Sequence, residues 1–249
     1  MAEAAEKPRG ATPPPPPGWG DDGLTAFLDH ARDNQWATFH NKRDAVGRLI
    51  AIDAEFLKAS RDWTNPTDEL AACMLIRCHG AFRTSAGQAM AGQCAETYVQ
   101  CRAMLEFAAY GVHIHREPSL ATVWLNRHQD AASMKLQKDA FTHRKVVESV
   151  TAANRHAGQR FEGLYQRTID YGGHPNEYSV TGNMKMVSEP GKVKLLTILL
   201  HEDGPALDLA LRTVAQCGMA SLEMLQTVFN DRFEILGINA AMRDLREGL

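Results

Sequence analysis

The segment Tyr165-Gln-Arg-Thr-Ile-Asp-Tyr-Gly-Gly-His-Pro-Asn-Glu-Tyr178 gathers tyrosines, acids, an arginine and a histidine where a helical pattern gives way to glycines. Helix-to-loop junctions of this kind are where binding and catalytic groups are commonly placed. Arg167 and His174 stand seven residues apart, and Gly172-Gly173 leave His174 free to fold back. Paired in that way, His174 could move a proton at a ribose 2′-hydroxyl while Arg167 stabilises charge on the phosphate. That would be RNA cleavage without a metal. The plainer role is a helix C-cap, with His174 and Asn176 hydrogen-bonding the frayed carbonyls. Asp170 and Asn176 complete the polar set at this junction and are candidate binding groups.

Arg102 and Glu106 stand four apart in Cys101–Tyr110, an otherwise apolar stretch with helical spacing. Charges there are costly unless they satisfy each other. They form either an internal ion pair that fixes packing or an arginine facing a central cleft and steadied by Glu106. Asp53, Asp170 and Glu223, also set in apolar sequence, raise the same question. His113-x-His115 invites a metal, but on a helix positions i and i+2 point about 200° apart. Their expected place is a helix C-terminus, near the negative end of the dipole. No cofactor and no metal is expected. The chain has no GxxxxGK[ST], GxGxxG, GxSxG or HExxH, and no Asp or Glu followed three residues on by His.

These groups belong to a chain of 249 residues with 44% hydrophobic and 23% charged side chains, enough for a full core without disulfides or metals. Lys+Arg 27 against Asp+Glu 30 excludes a polybasic duplex-DNA binder. The average hides an asymmetry. Residues 134–167 carry seven bases against three acids, and residues 202–247 four bases against eight acids. The two regions could face each other, or the first could serve a local anion. The five cysteines (Cys73, Cys78, Cys94, Cys101 and Cys217) form no CxxC and lie in apolar stretches, as buried free thiols of a reducing compartment do. With no signal-like apolar region at the start and no run near the ~20 residues of a bilayer span, a cytoplasmic protein with no membrane association is expected.

The elements that must position these groups are mainly α-helical. Residues 1–20, with prolines from Pro13 to Pro17, read as a disordered Pro-rich tail, and residues 21–249 as a single helical domain. Asp21-Asp22 suit a helix start, after which Leu24, Phe27, Leu28, Ala31, Trp36, Phe39, Val46, Leu49 and Phe56 recur at three and four. One helix, or two with a break near Asn34, satisfies that spacing. Asn65 as cap and Pro66 at the first position predict a helix over 67–85, and another follows from about 93 to 115. Residues 119–130 and 136–171 read as two more. Residues 178–188 and 192–200 alternate as strands around Glu189-Pro190-Gly191-Lys192, a type II turn. Asp203 to about Asn230 is the last long helix. The fold class expected is therefore a helical bundle with one inserted β-hairpin near 178–200.

Cys101–Tyr110, Pro118–Arg127 and Ile169–Asn176 together resemble, loosely, bacterial helical proteins of unknown function that are distantly similar to the HEPN superfamily. In those, a helix reading like Arg-x-x-x-Glu precedes an acidic/Pro break and a later helix ending in a histidine loop. The resemblance covers roughly residues 66–230. It implies a helical fold and, through the Arg-x4–6-His pattern of HEPN ribonucleases, catalytic roles for Arg167 and His174. Thr168 after the arginine, the Gly-Gly and the hairpin depart from that family's pattern. Two functions stand side by side. The first is a non-catalytic binding or assembly module, a homodimer or a binder of RNA, protein or a small anionic ligand. The second is a metal-independent endoribonuclease of a toxin or defence system.

Overall fold

Side-chain caps set six of the twelve α-helix starts among the described residues. The computed structural model describes residues 14–64, 66 and 68–249. Asp22 opens α1 (Gly23–Asn41), its carboxylate accepting from the Leu24 and Thr25 amides. Ahead of it, residues 17–20, expected as part of the disordered tail, form a turn in which the Trp19 indole donates to Asp29 at 2.8 Å, while the tail's residues 1–13 lie outside the described residues. α2 (Arg43–Ser60) follows, and the break falls at Lys42 rather than near Asn34. Lys42 leaves helical geometry (φ −114°, ψ 45°), and its ammonium bridges Asp203 and Asp208 at 2.5 and 2.8 Å. α3 (Glu69–Met90) is capped by Asp68, whose carboxylate accepts from Ala71 N at 3.0 Å. Pro66 precedes the helix instead of opening it, and Asn65 lies outside the described residues.

α3, α4 (Cys94–Arg116) and α10 (Pro205–Gln226) form the centre. Fifteen of the 22 residues of α10 are buried, which marks a helix surrounded by others. Gly218 permits one of those contacts: a Cβ there would lie 2.7 Å from the Phe82 ring and 3.0 Å from Ile52. The core also draws Phe56 from α2, Val146 and Val150 from α7 (His143–Ala153), and Phe161 and Leu164 from α8 (Arg155–Thr168). Phe233 and Ile238 close it from α11 (Asn230–Ile235) and α12 (Ile238–Leu245). A smaller cluster of Met74, Ile114, Leu120 and Phe141 holds α5 (Ser119–Leu125) and α6 (Ala131–Ala140).

The helix expected over 119–130 thus stops at Leu125, and the one over 136–171 is three helices. Each break coincides with a cap: Asp130 accepts from Ser133 N, Thr142 from Lys145 N, and Asn154 from His156 N and Ala157 N. Past α8 the chain makes a π-turn, Ile169–Gly173, before extending at His174. Residues 178–181, expected as strand, are instead part of α9 (Glu177–Thr181), because Asn176 and Ser179 form a capping box. β1 (Met184–Glu189) and β2 (Lys192–Thr197) pair antiparallel, Met184 opposite Thr197 and Glu189 opposite Lys192. Gly191 has φ 73°, as the second corner of a type II turn requires. The last long helix begins at Pro205 and ends at Gln226, short of Asn230. The fold is the expected helical bundle with one hairpin, twelve α-helices and a two-stranded sheet among the described residues.

α1 departs from its expected packing. Its inner side is polar: Asn34 and Gln35 amides and the Thr38 hydroxyl donate to Ala91, Gly87 and Met90 carbonyls at the end of α3. Leu24, Leu28, Trp36 and Phe39, read as core-facing, are exposed. Among the cysteines, Cys73 is also exposed, while Cys78, Cys94, Cys101 and Cys217 are buried and all five are free. Burial pushes the Cys78 and Cys94 thiols up to about 12, so both stay protonated. No helix among the described residues is long and apolar enough to cross a membrane.

Candidate functional site

α8 and α10 meet along matched rows. Arg160, Gly163, Leu164 and Arg167 lie on one side of α8, and Gln216, Met219, Ala220 and Glu223 on the facing side of α10. Both rows follow the i, i+3, i+4, i+7 spacing of a helix face. Between them opens a cleft of about 400 Å³, with Gln159, Arg246 and Leu249 at its rim. Glu223 is buried and shared by two guanidiniums. Arg160 Nε donates to its Oε2 at 2.7 Å, Arg160 Nη2 to its Oε1, and Arg246 Nη2 to Oε1 at 2.6 Å. Pairing a buried carboxylate with forked donors is what makes its burial tolerable. Arg167, in the last turn of α8, points its Nη1 at the Gln216 amide oxygen, a neutral acceptor. The side chains lining the cleft therefore carry three positive charges and one negative. Leu164, Met219 and Ala220 give it an apolar floor.

The other side of α8 carries a closed network. Arg102 donates from Nε to Glu106 at 3.0 Å and from Nη2 to the Tyr165 hydroxyl at 2.8 Å. The Tyr165 hydroxyl in turn donates to Glu106 at 3.1 Å. Arg102 also lies over the Tyr165 ring, against which His143 stacks with ring centres 4.2 Å apart. Burial, with Glu106 beside it, pushes the Tyr165 phenol up and keeps it a donor. Of the two roles open to Arg102 and Glu106, this geometry matches the ion pair that fixes packing.

The junction residues separate. Arg167 faces α10, whereas His174 is exposed and not among the cleft residues. Asn176 donates from Nδ2 to the Ile169 carbonyl at 2.8 Å, the frayed-carbonyl role anticipated for it. The carbonyl of His174, rather than its ring, takes the Ser179 hydroxyl at 3.0 Å. Asp170 accepts from Gln166 one turn back.

His113 and His115 diverge as expected of i and i+2, both within α4. His113 is buried, with Nδ1 2.7 Å from the Ser149 hydroxyl and Nε2 3.1 Å from the Ala140 carbonyl. Burial holds it below the usual histidine range. His115 meets Asp68 at 3.0 Å. Asp53 binds Arg83 through both oxygens, at 2.7 and 2.9 Å, and His79 at 2.7 Å. Burial alone would raise its carboxyl, but the Arg83 and His79 hydrogen bonds outweigh that and lower it. Among the described residues no three His, Cys, Asp or Glu side chains are grouped to hold a metal ion.

Sequence reasoning found Arg167 and queried Glu223 but missed Arg160, Gln216 and Arg246. Arg160 and Arg167 were legible as an i, i+7 pair on a basic helix. Arg246 reaches Glu223 from 23 residues further on, a contact no local spacing signals. The basic and acidic regions do meet, through the Arg160–Glu223 pair. No family model matches the chain, and it has no significant similarity to any curated protein or solved structure.

Proposed function

We propose that this protein is a cytoplasmic, non-catalytic helical binding module whose cleft between α8 and α10 takes a small organic anion. The carrying observation is the charge imbalance: Glu223 occupies Arg160 and Arg246, and among the described residues Arg167 donates to a neutral acceptor, the Gln216 amide oxygen. Guanidiniums suit carboxylate and phosphate groups because their donors match both oxygens. The volume fits a small molecule, and Leu164, Met219 and Ala220 suit an apolar body behind the anionic head. Free cysteines accord with a reducing compartment. Binding is favoured over RNA cleavage because Arg167 turns toward Gln216 while His174 stands outside the cleft.

Thermal unfolding of the full chain with phenyl phosphate, against chloride at equal ionic strength, tests this. At a hundred times Kd the ligand adds about 2.7 kcal/mol, a rise of roughly 5–10 °C for a chain of this size. Arg167→Gln should abolish the rise. No anion-specific rise, or one that survives in Arg167→Gln, overturns the assignment. Total RNA incubated with the protein in EDTA should stay intact. Digestion that His174→Ala abolishes would replace binding by ribonuclease activity.

A further inference from the structure

Two apolar surfaces of this chain lie open on separate elements. On α1, Leu24, Leu28, Trp36 and Phe39 share one side of the helix, with Leu24 67% and Trp36 63% exposed. Nothing in α1's attachment requires them to be there, since the helix is held by hydrogen bonds from Asn34, Gln35 and Thr38 to carbonyls at the end of α3. On the hairpin, the register sets Met184, Met186, Val193 and Leu195 on one face, with Met186 69% and Leu195 65% exposed. A two-stranded sheet is marginal by itself in water and needs a surface to pack on.

We infer that a second copy of this chain supplies it, the hairpin of each copy lying along α1 of the other. The lengths agree. From Leu24 to Phe39 the helix rises about 22 Å at 1.5 Å per residue. A six-residue strand spans about 20 Å. The charges agree as well. β1 and β2 carry Lys185, Lys192 and Lys194 against Glu189, whereas residues 21–41 carry Asp21, Asp22, Asp29 and Asp33 against Arg32. The lysines stand on the hairpin's other face, so they give a long-range attraction between the two elements rather than ion pairs. The same lysines set two hairpins against each other, and the acids of α1 set it against an anionic lipid surface. Placement completes the case. The hairpin's exit is pinned where His201 N donates to Gly92 O at 2.8 Å. That point adjoins the carbonyls at the end of α3 that hold α1, so the root of each hairpin lies beside its own α1. A two-fold axis passing there makes the contact twice.

The inference is independent of the arginine cleft. Light scattering of the full chain should give twice 27.5 kDa. Leu195→Lys and Trp36→Glu, both exposed in the single chain, should each halve that mass with helical circular dichroism unchanged. In a Cys73→Ser background, a chain with Leu195→Cys mixed with one carrying Leu28→Cys should form a disulfide between the two chains on oxidation. A monomeric parent chain overturns the inference, as does a dimer that both charged variants leave intact. A dimer broken by Leu195→Lys but not by Trp36→Glu overturns α1 as the seat. A monomer that sediments with phosphatidylglycerol vesicles, and loses them with Leu195→Lys, overturns it in favour of a lipid surface. The stabilisation by phenyl phosphate should persist in both charged variants, so failure of either proposal is read separately.

Discussion

α10 and α1 are both long helices with apolar residues at helical spacing, yet they use that spacing in opposite ways. α10 is buried nearly all round, and even its Glu223 is enclosed by Arg160 and Arg246. α1 is fastened through Asn34, Gln35 and Thr38 and turns its leucines, Trp36 and Phe39 outward. Periodicity identifies a helix and its apolar side. It does not say whether that side meets the chain's own core or another surface.

The largest effect that tests this contrast lies in α10. Leu222 is fully buried, so Leu222→Ala removes apolar contact and leaves a cavity in a packed core. The expected loss is about 3 kcal/mol, within the usual 2–5 range for such truncations. Urea unfolding measures it. A loss under about 1 kcal/mol would show that α10 is not the packed centre described.

Glu223→Gln comes next. It keeps the side chain's size and removes the charge that Arg160 and Arg246 share. Breaking a fully buried pair costs about 3–5 kcal/mol, but these guanidiniums are nearly half exposed and water screens them. A loss of about 1–2 kcal/mol is expected in the same unfolding experiment. With the compensating carboxylate gone, phenyl phosphate should stabilise this variant more than the parent. Equal stabilisation would mean that Glu223 does not set the charge of the cleft.

How far the sequence could be read follows from where each constraint comes from. The hairpin turn was legible because Pro190-Gly191 fixes backbone angles locally, and the end of α8 because Gly172-Gly173 and Pro175 cannot continue a helix. Asp130, Thr142 and Asn154 were local signals too, but a continuous amphipathic pattern ran across them and took precedence. The break at Lys42 had no local signal, since its ammonium is held by Asp203 and Asp208 from far along the chain. The site divides in the same way. Arg102, Glu106 and Arg167 were found as charges out of place in apolar or junction sequence, and Arg102 with Glu106 meets Tyr165 in one hydrogen-bonded network. Arg246 joined only through the fold.

The smallest effects lie in α1, and they should invert the usual ranking of polar and apolar substitutions. The comparison is made in the Leu195→Lys background, so that any contact between copies is removed from both measurements. Thr38 is buried, and its hydroxyl donates to Met90 O at 2.8 Å, a carbonyl in the last turn of α3. Thr38→Val keeps the shape and leaves that carbonyl without this donor, costing about 1 kcal/mol. Leu24→Ala removes a larger apolar group, but one already in contact with water, so the change should stay within about 0.5 kcal/mol. If Leu24→Ala proves the costlier of the two, α1 is packed through its apolar side after all. The exposed stripe would then be closed within a single chain, and the seat proposed for the partner's hairpin would be occupied.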